Sequence, residues 1–285
     1  MLGDDNNKDT SAKTRLAERR KKVKIVVLVK QVPDTETKIK IGADGKSIDT
    51  SDVKWIMNPY DEYAVEAALR LQESLGASVT ILSMGPERTV ESIRTALAMG
   101  ADTGVLVDDP AAEGSDALGK AKVLAAALRG LEFDLVLCGH RAVDDDENQV
   151  GIMVAELMEL PHLGLAVSVE VADGKAKIER PVEGAKVTLE ATLPALVTFG
   201  GAHAVWNPRY ASLPGIMKAK KKPLETKTLA DLGLSADEVG AQAARVSVTS
   251  MEMPQERQAG RMLEGDSAEK AKELVRLLHE EAKVI

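Results

Sequence analysis

Three segments concentrate the residues able to do chemistry: 30–38 (KQVPDTETK), 57–61 (MNPYD) and 139–150 (GHRAVDDDENQV). The third is the richest. Asp144, Asp145 and Asp146 run consecutively into Glu147, Asn148, Gln149 and Val150, where a helix is expected over 147–160. Carboxylates ahead of a helix complement its positive end. The same end, with free N–H groups at about Asn148, Gln149 and Val150, is suited to a phosphate. The two uses compete, because three carboxylates repel a phosphate. A consistent arrangement turns the aspartates to capping, to ribose hydroxyls or to a partner chain, and leaves amides with the neutral Asn148 and Gln149 to the anion. Gly151 in the first turn permits close backbone approach. A solvated helix cap is the competing reading of the same aspartates.

Other chemistries lack their constellations. Residues 144–146 have neither the glycine nor the distal glutamate of an EF-hand loop, and no HRD, DFG or HExxH accompanies them. GxGxxG, GxxxxGK(S/T) and GxSxG are all missing. The scattered His140, His162, His203 and His279 have no zinc spacing, and a single cysteine cannot form an internal disulfide. Cys138, ending an aliphatic run, reads as a buried small hydrophobe.

The elements that must position these segments follow from the hydrophobic pattern. Residues 25–29 form a continuous aliphatic run, the mark of a strand covered on both faces. Residues 34–57 are polar around Gly42-Ala43-Asp44-Gly45 and predict a hairpin insertion. Asn58 and Pro59 fit the cap and first position of a helix, with Asp61 favourable in its first turn. Ala64, Ala68, Leu71 and Leu75 give that helix one apolar face, and Gly76 closes it. The cycle repeats: strands at 79–84, 104–107 and 135–138, helices at 87–99, 116–131 and 147–160. This alternation predicts an α/β fold with a doubly wound, mostly parallel sheet. Ligands of such sheets bind beyond the carboxyl ends of the strands, where all three segments fall. Runs at 165–171, 176–180 and 186–193, punctuated by Asp173-Gly174 and Gly184, predict an antiparallel flap, and 196–199 returns to the buried-strand pattern.

Composition narrows the class. With 285 residues, 45 acidic against 37 basic, the formal charge is −8, which argues against a nucleic-acid partner. Aromatics at 2% are too few for base stacking or a membrane belt. No apolar run approaches the roughly 18 residues of a membrane span, so no direct membrane insertion is expected. Residues 1–22 read as a disordered polar tail rather than a secretory signal, and the chain is expected to be cytoplasmic.

In 207–217 (NPRYASLPGIM), Leu213, Ile216 and Met217 are apolar residues of a Pro/Gly-punctuated loop, followed by Lys218, Lys220, Lys221 and Lys222. Apolar residues rimmed by charge suggest a protein-docking site; a loop tucked onto the sheet is the alternative. Residues 223–265 carry too little apolar material for a core of their own and read as the start of an arm lying on a partner. One strand at 247–252 and an amphipathic helix at 266–282, with Leu274, Leu277 and Leu278 on one face, are expected within 223–285.

The chain resembles the β subunit of electron transfer flavoproteins. The likeness covers about residues 23–285 and is carried in order by 57–71 (MNPYDEYAVEAALRL), 83–102 (SMGPERTVESIRTALAMGAD), 142–151 (AVDDDENQVG), 207–222 (NPRYASLPGIMKAKKK) and 254–260 (PQERQAG). The resemblance implies an adenine-nucleotide-binding α/β domain over 23–222 and a C-terminal arm, 223–285, wrapping an α subunit. It implies a non-catalytic electron carrier that takes electrons from flavin-linked dehydrogenases, such as acyl-CoA dehydrogenases, and delivers them to a membrane quinone oxidoreductase. FAD would be held mainly by the α subunit and a structural AMP by this one. The implied AMP site comprises Leu28, then Asn58, Pro59, Tyr60 and Asp61, then Met84. It continues through Gly139, His140, Arg141, Ala142 and Val143 and through the acidic stretch to Val150. Adenine would lie among Leu28, Met84 and the backbone of the third segment, with phosphate near 148–150. The implied recognition loop is Tyr210, Ala211, Ser212, Leu213, Pro214, Gly215, Ile216, Met217 and Lys218, with Leu213 as its anchor. Lys218 and Lys221 match lysines methylated in some members. A bifurcating, NADH-oxidising branch places a second FAD in the AMP site. Its D-G-D-T-x-Q pattern differs from 144–149 here, although 30–35 (KQVPDT) is common to that branch, and Thr35 stands where some members carry a tyrosine. A nucleotide sensor resembling universal stress proteins, working without an α partner, is the third reading.

Overall fold

A computed structural model describes residues 22–200, 204–255 and 259–285; the tail expected over 1–22 lies almost wholly outside them. In chain order the elements are β1 (Lys24–Leu28), β2 (Gln31–Pro33), β3 (Trp55–Met57), α1 (Pro59–Leu75), β4 (Ser78–Met84), α2 (Val90–Met99) and β5 (Thr103–Val107). Then follow α3 (Ala117–Arg129), β6 (Leu135–Gly139), α4 (Val150–Leu157), β7 (His162–Ala166), β8 (Ser168–Ala172), β9 (Lys175–Val182), β10 (Ala185–Thr192) and β11 (Ala195–Phe199). Last come α5 (Leu213–Ala219), β12 (Leu224–Lys227), α6 (Gly240–Ala243) and α7 (Ser267–Arg276).

The aliphatic runs account for the architecture. Along β1, Ile25 and Val27, followed by Val29 just past its end, enter one apolar core while Val26 and Leu28 enter the other. A strand buried on both faces belongs in the middle of a parallel sheet. The seven-stranded sheet runs β12-β5-β4-β1-β6-β11-β7 and is parallel throughout. The chain lays β4 and β5 on one side of β1, then returns to place β6 on the other. That reversal at β1 is the switch point of a doubly wound sheet. The polar insertion closes as β2 and β3, paired antiparallel, with one further bridge between Ile41 and Ile48. The helix at 59–75 forms as expected, Gly76 ending it at φ 68° with its N–H donating to Gln72. Of its expected apolar face, Ala64, Ala68 and Leu71 are buried and Leu75 is exposed.

Four expectations are corrected. The 165–171 run breaks at Val167 into two strands, with Leu165 at φ 59° just ahead of the break: β7 joins the main sheet beside β11, and β8 starts the flap β10-β9-β8. The chain does not leave the body at 223, because β12 pairs with β5 as the seventh parallel strand, and Leu229 and Val239 behind it are buried. No strand forms over 247–252. Finally, 213–219 is a short helix rather than a loop, with the Ser212 hydroxyl capping it at the Gly215 N–H.

Candidate functional site

A cavity of about 520 Å³ opens beyond the carboxyl ends of β1, β4, β5 and β6, within the ~300–1,000 Å³ of small-molecule sites. Leu28, Met84, Val107 and Leu124 give it apolar walls. At the α1 end, Asn58 spends its side chain on the third segment instead of capping the helix. Its Nδ2 donates to the Arg141 carbonyl (2.9 Å) and its Oδ1 accepts from the Val143 N–H (3.2 Å). Asp61 is buried and ties two strand ends together, accepting from the main-chain N–H of Lys30 (2.8 Å) and of Gly139 (2.9 Å). Gly139 carries no side chain because α1 crosses directly against it: a Cβ there would meet Asp61 Oδ1 and Tyr60 Cβ, both at 2.6 Å.

Burial pushes the Asp61 carboxyl up to about 7, against the pull of those two N–H groups, of Asn58 and of the Lys30 ammonium. An unfolded aspartate titrates near ~3.9, so the folded chain binds this proton more tightly. The resulting stability is full below about pH 4 and is lost as pH rises to about 7, by on the order of 4 kcal/mol. Asp61→Asn should therefore erase that fall from the pH dependence of urea unfolding. An unchanged pH slope would assign the titration to another group.

The aspartates of the third segment take a different role from any expected. The helix begins at Val150, not 147, because Asp146 and Asn148 adopt left-handed conformations at φ 56° and 52°. Asp144 and Asp145 turn back and each accept from Lys30 Nζ at 2.7 Å, Lys120 Nζ lies 3.7 Å from Asp145, and Asp146 pairs with Arg141 at 2.7 Å. Burial alone would lower the Lys30 pKa, but the two carboxylates hold it above the ordinary lysine range. Burial would likewise raise Asp145, and the two lysines hold it down. The carboxylates are thus neutralised by cations and do not cap α4. Gln149, at the cap position, makes no side-chain cap hydrogen bond either. The first-turn N–H groups of Val150, Gly151 and Ile152 have no intrahelical acceptor, and Val150 and Gly151 line the cavity. Gly151 serves the fold first, since a Cβ there would sit 2.9 Å from Cys138 Sγ.

Of the residues expected here, the cavity wall includes Leu28, Asn58, Asp61, Met84, Gly139, His140, Arg141 and Ala142, with Asp145 and Glu147 through Val150. Pro59, Tyr60, Val143, Asp144 and Asp146 are not in that wall. Tyr60 buttresses it from behind, packing edge-on to His140 (4.5 Å between centroids) and accepting from Arg141 Nη2 at 2.8 Å. Burial lowers the His140 pKa, and its Nδ1 donates to the Phe199 carbonyl at 2.9 Å. Cys138 is buried and burial pushes its thiol well up, in keeping with a small hydrophobic side chain at the end of β6. Sequence reasoning singled out the 30–38 segment but not the pairing of Lys30 with Asp144 and Asp145, and it missed Lys120 and the 107–115 segment after β5. Applying the strand-end rule to β5 as well would have found that segment.

A second feature lies on the surface. Arg209 clasps the buried Glu66 through Nε (2.7 Å), Nη2 (3.1 Å) and its main-chain N–H (3.2 Å), fixing the chain just ahead of α5. Beyond it Tyr210 is 97% exposed, Leu213 81% and Met217 65%; no apolar cover hides them. The C-terminal α7 has a capping box between Asp266 and Glu269 and buries none of its residues. Among the described residues no helix is long and apolar enough to cross a membrane.

Comparison with known proteins places the chain in a family. The model of the electron transfer flavoprotein domain matches residues 46–232. A Bacillus subtilis (strain 168) protein named electron transfer flavoprotein subunit beta is 43% identical over 92% of this chain and 99% of its own length. Proteins of the same name from Bos taurus and Homo sapiens are each 42% identical over 90% of this chain and 99% of their own length.

Proposed function

The chain belongs to the electron transfer flavoprotein family as a β subunit, and from that premise we propose a non-catalytic carrier subunit that holds AMP in its cavity and frames an FAD bound mainly by an α-subunit partner. The observation that carries this reading is the open start of α4 facing a cavity at the sheet's switch point, with the neighbouring aspartates tied to lysines. Phosphate would be held by the N–H groups at 150–152, with the side chains of Asn148 and Gln149, in keeping with anion binding at helix starts. Leu28, Met84 and Val107 offer apolar contacts for adenine. The FAD, when bound, supplies the electron chemistry, while this chain's residues bind, orient and shield. A nucleotide bound only by the folded state also stabilises it by mass action.

The segment 210–218 is the proposed docking site for flavin-linked dehydrogenases such as acyl-CoA dehydrogenases. Leu213 would enter a partner pocket, and Lys218, Lys220 and Lys221 would speed encounter. Val246, Val248, Met253 and Met262, together with Leu274 and Val275 on α7, are exposed. That run of apolar residues supports an arm wrapping the α subunit, beginning after α6 rather than at 223. Delivery to a membrane quinone oxidoreductase and a cytoplasmic setting complete the proposal.

Purified αβ complex, denatured and assayed for released nucleotides, should yield one AMP and one FAD, and NADH should leave the flavin spectrum unchanged. Two FAD without AMP, with bleaching by NADH, would replace this reading with the bifurcating one. A stable chain purifying without flavoprotein would favour the sensor.

A further inference from the structure

The lysine run 218–222 is divided by the fold. Lys218, Lys220 and Lys221 are exposed, whereas Lys222 Nζ turns inward and donates to the carbonyls of Leu97 (3.0 Å), Gly100 (3.2 Å) and Ala101 (2.5 Å). Leu97 is in the last turn of α2, and Gly100 and Ala101 follow directly, where carbonyls lack intrahelical donors and face the negative pole of the helix. A cation is the group they accept best. The reverse contact starts from α2: Arg94 Nη1 donates to the carbonyl of Ala219 (2.6 Å), the last residue of α5, and to that of Lys222 (2.8 Å) in the turn after it. Thus α2 supplies a cation to the end of α5, and the turn just after α5 supplies one to the end of α2. Between them Gly215 lies so close to α2 that a Cβ would sit 2.4 Å from the Ala98 carbonyl oxygen, and Ala219 is the one buried residue of α5. Helices shorter than ~12–15 residues are marginal on their own. With seven residues and an apolar face turned to solvent, α5 depends on these contacts for its shape and aim.

We propose that Lys222 and Arg94 are positioning residues for partner docking: their reciprocal caps fix the pose in which α5 presents Leu213 and Met217, and Lys222 takes no part in the basic face made by its neighbours. The inference rests on the reading of 210–218 as the docking site, and deepens it. Lysines adjacent in sequence then have separable effects. Removing an exposed one weakens long-range attraction and flattens the salt dependence of association. Removing Lys222 disorders the docking helix and leaves the salt dependence intact.

The test uses the αβ heterodimer with an acyl-CoA dehydrogenase as electron donor, comparing Lys222→Met, Lys222→Arg, Lys220→Met and Leu213→Ala. Lys222→Met should raise the KM for the flavoprotein about tenfold at unchanged kcat and flavin content, with faster amide exchange over 213–219. Lys222→Arg, which keeps a donor cation, should restore both. Lys220→Met should change mainly the salt dependence. Where Lys222→Met does not fold, Arg94→Met, which removes the reciprocal cation from the Ala219 and Lys222 carbonyls, should show the same KM and exchange changes. If Leu213→Ala leaves electron uptake unaltered, the docking reading fails and the proposal with it. If Leu213→Ala impairs uptake while Lys222→Met keeps wild-type KM and exchange, or merely flattens the salt dependence, the docking reading stands and the positioning role is overturned.

Discussion

Gly139→Ala is expected to empty the cavity of nucleotide and to destabilise the protein by about 3 kcal/mol. The new Cβ would fall 2.6 Å from Asp61 Oδ1, 2.6 Å from Tyr60 Cβ and 2.9 Å from the Tyr60 main-chain carbon. None of these is the free end of a flexible side chain. Tyr60 and Asp61 stand in the first turn of α1, and Asp61 is itself bound to the Gly139 N–H. Relief requires α1 to retreat from β6, which breaks that bond and loosens the one to Lys30. Overpacking costs about 1–3 kcal/mol and a lost bond to a buried carboxylate about 1–3 more. The same retreat drags Asn58 from Arg141 and Val143 and so releases the segment leading to α4. Urea unfolding and nucleotide content of the heterodimer measure both effects. Wild-type values for both would mean that the contact between α1 and β6 is soft and does not shape the site.

Glu66→Ala should have an effect of similar size by another route. Glu66 is 1% exposed in the middle of α1, yet it is a charged residue with two arginines on it: Arg209 at 2.7 Å and Arg70 at 2.7 Å. Burial alone would raise its pKa, but the bonds from Arg209 and Arg70 hold it below the usual carboxylate range. Removing one member of a buried ion pair costs about 3–5 kcal/mol. Arg209 and Arg70 are partly solvated, which places this case at about 3 kcal/mol. The loss also frees the chain before α5, so electron uptake from a dehydrogenase should slow while flavin content holds. The pH signature runs opposite to that of Asp61. A depressed folded pKa gives stability that is present above the ordinary glutamate range and is lost as pH falls through the folded value, so the variant should lose part of the wild-type acid transition. A thermal midpoint and acid transition equal to wild type would refute the role given to Glu66.

Where the physics was local, the sequence announced it. The aliphatic runs of β1, β4, β5 and β6 could only be strands covered on both faces, and their order with the intervening helices placed a site at their carboxyl ends. Asn58 and Pro59 marked the start of α1, and Gly76 its end. Long-range pairings left no local trace. Glu66 looks like one polar residue of an amphipathic helix, and nothing near it foretells Arg209, far along the chain. Lys222 is indistinguishable from Lys220 and Lys221 until α2 is set beside it. Residues 144–149 favour a helix cap by type, but Lys30 draws Asp144 and Asp145 away, Arg141 holds Asp146, and α4 starts only at Val150. β12, LETK, offers too little aliphatic character to read as a strand; its place is set by the open edge of β5.

In the proposed function, the cavity at the switch point grips an adenylate by the start of α4. A crystal structure of the αβ heterodimer as purified tests it most directly. Density for AMP is expected there, its phosphate against the N–H groups of Val150, Gly151 and Ile152 and its adenine beside Leu28 and Met84. A phosphate bound elsewhere, an isoalloxazine in that space, or side chains closing it would contradict the account.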